Sequence, residues 1–530
     1  MKSEKTSIAK LTAWLDKNVL VYLAGFLLLF IPLYPKVPLF DIIPGYIVRV
    51  RLEDFFILLT LLVWFVQVIR GRVPWKHPLI YVIAAYMVFG FLSTLSAMFI
   101  THTVPLQLIH VGKMYLHYFR NIQYFSLMFI FFSASREKKI AKLYILIASL
   151  TLLLVSVYGY GQKYLYWPVY STMNREFSKG WRLYLTEHAR VPSTFGGHYD
   201  LAAYTMVILT IILGLLYLTK NRWLKTIYAL TYAAGFWLLI LTASRTSFIA
   251  YLASISILLF IFAFVKGFWW ALWRWVLVMS LSMFVMLSFG DLSERFTQVL
   301  GLDKLKEKYA NLAFLPKVAK PQNAISVEEM TEIAKVTSVS DQPPTPALPG
   351  DVYEDIPLPV DDGKGGVKLV TRTYSDNAYK YGLSAAIRFD ALWPRAIAGF
   401  KLNPLLGAGY STLTKETVDQ FTEAESTDNN FLRTLGETGI LGFGTFYGAI
   451  VFTIYLALRS LKRLTSEPVF LAFAIGMVAG SIGLLLNASY IDVFAASKVA
   501  ESFWALVGIL LAITYDFQKP VGKAALKAKK

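Results

Sequence analysis

Long apolar runs separated by polar connections follow one another along most of the chain. An apolar stretch of about 18 residues is long enough to cross the hydrocarbon core as a helix. Twelve such helices are predicted, near residues 19–35, 54–69, 78–100, 114–134, 140–161, 200–218, 224–243, 246–265, 270–290, 432–458, 468–488 and 499–516. The fourth is interrupted by Arg120 and Asn121. The first is not a cleavable signal, because no small-residue cleavage site follows Phe30-Ile-Pro-Leu-Tyr-Pro35. The pattern predicts an all-α polytopic membrane protein of about twelve transmembrane helices, with a long extracytoplasmic loop before the last three.

Composition agrees: the chain is 56% hydrophobic with a mean hydropathy of +0.52, against about 45–50% apolar in soluble domains. The charges then orient it. With the N-terminus inside, the inside segments 1–18, 70–77, 135–142, 219–225, 265–275, 459–466 and 517–530 carry 24 Lys and Arg, and the short outside segments 36–53, 101–121, 242–246 and 488–498 carry 7. Positive residues favour cytoplasmic loops, so both termini are predicted to be cytoplasmic. The net charge of +18 is mostly this topology signal. No basic soluble face is present, so no nucleic-acid partner is expected. The chain has no cysteine, which excludes disulfides, Fe–S clusters and thiolate zinc sites. Its six histidines form no HExxH or other metal-spaced pair, so neither a protein-bound metal nor a cofactor is expected.

The chain divides into helices one to nine (1–290), an extracytoplasmic loop (291–431), and helices ten to twelve with a basic cytoplasmic tail (432–530). The loop holds 20 of the 34 acidic and 15 of the 52 basic residues, a net −5 that leaves +23 elsewhere. Residues 341–366 contain six prolines and few apolar anchors, which predicts a disordered insertion within about 318–370. Gly363-Lys-Gly-Gly366 lacks the spacing of a phosphate-binding loop. Residues 382–400 read as an amphipathic segment kinked near Pro394, with Arg388 and Arg395 seven apart on one face. No internal repeat is evident, so an inverted-repeat transporter has no sequence support.

Four polar stretches stand beside the outer helix ends, where unpaired polar groups cost free energy. In Arg190-Val-Pro-Ser-Thr-Phe-Gly-Gly-His-Tyr-Asp200, Arg190 offers a planar fork for phosphate oxygens and His198 can carry a proton or donate to an anion. Gly196-Gly197 lets backbone N–H groups approach a ligand. A plain helix start with an interfacial histidine is the alternative. In Leu241-Thr-Ala-Ser-Arg-Thr-Ser247, Arg245 either snorkels to headgroups or binds a lipid-linked phosphate, with the Ser244 hydroxyl as an added donor. In Asp428-Asn-Asn-Phe-Leu-Arg433, Asp428 is either a helix N-cap or a general base at the interface, and Asn429 either hydrogen-bonds sugar hydroxyls or prolongs the cap. Gly439 and Gly442 read as helix-packing positions. In Arg49-Val-Arg-Leu-Glu-Asp54, pairing with Arg49 and Arg51, or placement at a helix start, accounts for Glu53 and Asp54.

In this order and topology, the Arg-Leu-Glu-Asp helix start, Arg190–Asp200, the Thr-Ala-Ser-Arg turn and the stretch from Arg388 through Pro404-Leu-Leu-Gly-Ala-Gly409 to Leu441 resemble the O-antigen ligase and polymerase family of bacterial envelope glycosyltransferases. The resemblance implies an inverting, metal-independent transferase in the bacterial cytoplasmic membrane. Its donor would be a glycan on undecaprenyl pyrophosphate, and its acceptor a glycan or a lipid-linked molecule at the outer face. Arg190, Arg245 and Arg388 match the family's pyrophosphate-binding arginines. The ligase branch has His before Asn where this chain has Asp428-Asn429, which tilts the expectation toward polymerisation. The competing expectations are a transporter or flippase of lipid-linked glycans, which would place charges and helix breaks near mid-bilayer, and a non-catalytic envelope scaffold, which would leave Arg190, Arg245 and Asp428 without a role.

Overall fold

The computed structural model describes residues 2–43, 48–173, 177–186, 189–289, 358–361, 367–370, 383–413 and 426–515. The chain falls into two compact units, residues 1–296 with 392–530, and residues 297–391.

Among its described residues the first unit contains twelve long helices, one for each predicted run: α1 (Lys2–Leu33), α2 (Leu52–Ile69), α3 (Leu79–Phe99), α4 (Leu108–Ala134), α5 (Lys138–Tyr164), α6 (His198–Leu218), α7 (Arg222–Leu241), α8 (Arg245–Lys266), α9 (Phe268–Ser288), α11 (Asn430–Leu464), α12 (Pro468–Ala488) and α13 (Ser497–Tyr515), with the shorter α10 (Trp393–Leu402) between α9 and α11. Ten are long and apolar enough to cross a membrane, so this is a multi-pass membrane protein. The exceptions are α1, whose apolar part is Asn18–Leu33, and α4. Arg120 and Asn121 interrupt the apolar run of α4, as expected, but the helix itself runs unbroken through them. Arg120 Nη1 meets Asp54 Oδ1 at 2.8 Å, and Asn121 Nδ2 donates to the His117 carbonyl at 3.0 Å. A paired charge and a satisfied amide do not end a helix.

Helices α6, α12 and α13 form the interior, with 89%, 78% and 94% of their apolar windows buried, whereas α2 and α9 bury 22% and lie at the periphery. Close approach of α6 and α12 depends on Gly476, where a Cβ would lie 2.7 Å from Ile211 Cα. Small residues permit such contacts where lipid is as apolar as leucine.

One spanning helix is broken. Gly439 in α11 has φ 63° and ψ −169°, so it is a conformational break as well as a close-packing position, where a Cβ would collide with the Leu405 carbonyl carbon. Loop 404–409 fills the break. Ala408 and Gly409 N–H donate to the carbonyls of Gly436 (2.8 Å) and Glu437 (2.9 Å), and the N–H groups of Ile440 and Leu441 donate to Pro404 (2.9 Å) and Leu405 (3.3 Å). Irregular backbone persists at membrane depth only when protein partners satisfy it.

A short antiparallel pair, β1 (Pro38–Asp41) with β2 (Arg49–Arg51), precedes α2. In the second unit, β3 (Leu358–Asp361) pairs antiparallel with β4 (Val367–Val370), Leu358 opposite Val370. Most of the insertion predicted to be disordered lies outside the described residues; its described parts form this hairpin, consistent with the alternation of Val367-Lys-Leu-Val370. Helical residues Leu383–Ile387 follow, then a wider turn at Arg388–Leu392. Pro394 sits in the first turn of α10, where its missing N–H costs nothing.

Candidate functional site

The 190–198 segment is built inward from α6. Gly197 caps that helix in extended conformation, and residues 191–198 are all buried. Arg190, half-buried, places Nη1 2.7 Å from His198 Nε2 and 3.1 Å from the Tyr199 hydroxyl. A guanidinium only donates, so Nε2 is the acceptor and carries no proton in this arrangement. Ser193 takes a left-handed φ of 50°, and its hydroxyl donates to Val155 O at 2.7 Å.

The end of α7, just before α8, lies against this segment: Val191 N–H donates to Leu241 O at 3.2 Å. Ser244 is the N-cap of α8, fully buried, accepting from Ser247 N–H at 3.4 Å and donating to Ser247 Oγ at 2.9 Å. Its hydroxyl is therefore committed to the helix end. Arg245, the first residue of α8, is exposed. Asn487 Nδ2, at the end of α12, donates to Ser247 Oγ at 3.0 Å and ties α8 to the loop that leads into α13.

That loop holds the third part. Asp492 Oδ2 accepts from Thr427 N–H (2.8 Å), Ser426 Oγ (2.9 Å) and Arg433 Nη1 (3.1 Å), and Oδ1 accepts from Asn429 N–H (3.1 Å). Asp428 itself is half-buried at φ 50°, accepting from Ser426 Oγ at 2.8 Å. The N-cap of α11 is Asn429, whose side chain accepts from Leu432 N–H at 3.0 Å. Capping thus belongs to Asn429 and not to Asp428. Arg433 also faces Glu437 at 3.4 Å, and Glu437 Oε1 accepts from Ser411 N–H at 3.1 Å. Arg388 lies in the second unit, at the start of the turn Arg388–Leu392.

A further polar cluster surrounds the start of α2. Glu53 Oε1 meets Lys36 Nζ at 3.3 Å and Asp54 Oδ1 meets Arg120 at 2.8 Å, so partners from other segments join the neighbouring Arg51 and the start of α2, where Asp54 Oδ2 accepts from Arg51 N–H at 2.9 Å. Gln123 Nε2 bridges Asp54 (2.9 Å) and Glu501 (3.2 Å). Lys36 also donates to Ser497 Oγ. Burial and the neighbouring Arg51 hold the Lys36 ammonium below the usual lysine range, against the pull of Glu53.

Sequence reasoning missed Asp492, Glu437, Lys36, Lys498 and Glu501. The last two were within reach, because they are charges at the start of an apolar helix. Among the described residues, no three His, Asp or Glu side chains are grouped to hold a metal ion.

Residues 230–447 match the family model described as O-antigen ligase. The matched span contains Arg245, Arg388, Asp428, Asn429 and the plugged break at Gly439; Arg190, His198 and Asp492 lie outside it. No curated protein matches the chain.

Proposed function

We propose that this chain, which carries an O-antigen ligase family domain over residues 230–447, is an inverting glycosyltransferase that uses an undecaprenyl-pyrophosphate-linked glycan. In this reading it polymerises or ligates that glycan at the outer face of the cytoplasmic membrane. The supporting observation is the linkage of three segments: Val191 to Leu241, Ser247 to Asn487, and Asp492 to Asn429. These hydrogen bonds gather the segments bearing Arg190, Arg245 and Asp428 at the same end of the bundle.

In this reading Arg190 and Arg245 hold the donor's phosphate oxygens. His198 orients Arg190, and Asn429 faces the sugar. The acceptor hydroxyl oxygen attacks the anomeric carbon from the side opposite the pyrophosphate. Its proton passes to Asp428, and the bond from the anomeric carbon to the pyrophosphate oxygen breaks. Undecaprenyl pyrophosphate leaves with its charge stabilised by the arginines. No step requires a metal or cofactor, and both termini lie in the cytoplasm.

The break at Gly439 is the observation that favours transport of the same lipid-linked glycans, since discontinuous helices line transporter sites. Among the described spanning helices it is a single break, and loop 404–409 fills it, which favours surface chemistry. The test is transfer by purified protein in nanodiscs supplied with the host's own lipid-linked glycan pool. Arg190→Lys and Arg245→Lys keep the charge but lose the bidentate fork, and each is expected to slow transfer at least about tenfold. Wild-type rates in both variants would remove the arginines from the reaction.

A further inference from the structure

Lys498 stands in the first turn of α13 with 1% of its surface exposed. Its Nζ donates to three backbone carbonyls: Pro32 O at 3.1 Å, Tyr34 O at 2.5 Å and Thr194 O at 2.7 Å. Three acceptors use all three protons of an ammonium; a neutral amine would turn its lone pair on one of them. The Phe195 ring lies 5.0 Å from the same nitrogen and adds a cation–π contact.

The three acceptors belong to two separate pieces of chain. The Pro32 and Tyr34 carbonyls lie at the end of α1, where helix geometry leaves carbonyls without intrahelical donors. Thr194 lies midway between Arg190 and His198, and its own hydroxyl donates to Pro32 O at 2.6 Å. One buried cation therefore joins the end of α1, the start of α13 and the middle of the segment that carries Arg190. Residues before Thr194 are held separately, Ser193 by Val155 and Val191 by Leu241.

We propose that Lys498 is a positioning residue for donor binding: by clamping Thr194 it fixes the Arg190–His198 pair in the geometry that receives phosphate oxygens. This rests on the transferase reading only for the identity of the bound phosphate. A 1 Å displacement of such a segment is enough to lose most of an oriented contact.

The test is a double-mutant cycle read as binding of farnesyl pyrophosphate to the full-length protein in nanodiscs, with transfer kinetics measured alongside. Lys498→Gln keeps amide donors for the carbonyls but loses the third proton and the charge, and Lys498→Arg keeps both. Lys498→Gln is expected to weaken farnesyl pyrophosphate binding about tenfold and to raise the donor KM with kcat within about twofold. Lys498→Arg should restore binding to within about threefold of wild type. In an Arg190→Ala background the Lys498→Gln effect should shrink below twofold, because the guanidinium it positions is gone. Undiminished, additive loss in that background would show a general structural role and overturn the proposal, as would wild-type binding in Lys498→Gln. If the wild-type protein binds farnesyl pyrophosphate with this coupling but transfers no glycan, the positioning role stands and the transferase reading fails.

Discussion

Asp492 Oδ1 accepts the backbone N–H of Asn429 at 3.1 Å. The two residues are 63 apart in sequence, and the contact joins the loop between α12 and α13 to the start of α11. Through its other oxygen Asp492 also holds Thr427, Ser426 and Arg433. The backbone on both sides of Asp428 is therefore fixed by one carboxylate.

Asp492→Asn is expected to slow glycan transfer more than tenfold while lowering thermal stability. An amide presents one acceptor oxygen instead of two, so the N–H groups of Thr427 and Asn429 cannot both be satisfied at their present positions. A buried donor left unpaired costs about 1–3 kcal/mol. Wild-type transfer by the purified, folded variant would show that the loop needs no such anchor.

Asp428 and Asn429 separate base from cap. Asn429→Ala should lower stability by about 1 kcal/mol through loss of the cap to Leu432. Asp428→Asn, which retains shape but not the base, should leave the melting temperature nearly unchanged and reduce transfer at least a hundredfold. A fully active Asp428→Asn enzyme would mean that the acceptor hydroxyl loses its proton elsewhere.

His198 holds Arg190 through an unprotonated Nε2 at 2.7 Å. His198→Gln can preserve this acceptor if its carbonyl oxygen reaches the guanidinium, whereas His198→Leu cannot. The expected order of donor affinity is wild type, then glutamine within about fivefold, then leucine. Equal affinities for glutamine and leucine variants would show that the ring supplies something other than an acceptor for Arg190.

The spanning helices were legible because each needs an apolar run of bilayer length, and α5, α8 and α12 coincide closely with their predicted ranges. The site was less so. Arg190, His198, Arg245 and Asp428 stood out as polar residues beside apolar runs, but their mutual support did not. Glu53 looked explicable by nearby arginines, but its ion pair with Lys36, on the other side of β1 and β2, left no local sign. Asp492 did not stand out in the sequence, because nothing local reveals that four donors converge on it. Gly439 reads as a small packing residue until its positive φ and the Pro404–Gly409 loop are seen together. Contacts across hundreds of residues leave no periodic trace in sequence.

At the opposite end of the bundle, Lys138 and Lys142 meet the two oxygens of Glu467 at 2.9 and 3.0 Å. These hydrogen bonds hold the Glu467 carboxyl below its ordinary value of 4.5. A depressed carboxylate stabilises the fold at pH above the unfolded value and loses that contribution as pH falls through the lower folded value. The lysines are about half exposed, so the effect is small, under about 1 kcal/mol. Glu467→Gln should therefore shift the melting temperature slightly at pH 7 and not at all near pH 3. An equal shift at both values would assign the effect to packing.

Topology is the premise on which the site depends. Lys36, Glu53, Ser497 and Lys498 meet at one end of the helices, and Lys138, Lys142 and Glu467 at the other. The sequence puts 24 Lys and Arg on the second side and 7 in the short segments of the first. Positive residues are retained on the cytoplasmic side, so reporter fusions after Lys225 and Lys462 should read as cytoplasmic, and a fusion after Gly350, which lies outside the described residues, as extracytoplasmic. A cytoplasmic signal at Gly350 would put the loop preceding Asp428 on the wrong side of the bilayer. Arg190, Arg245 and Asp428 would then face the compartment that holds nucleotide sugars, and a reaction drawing on an outward-facing lipid-linked glycan would have no access to them.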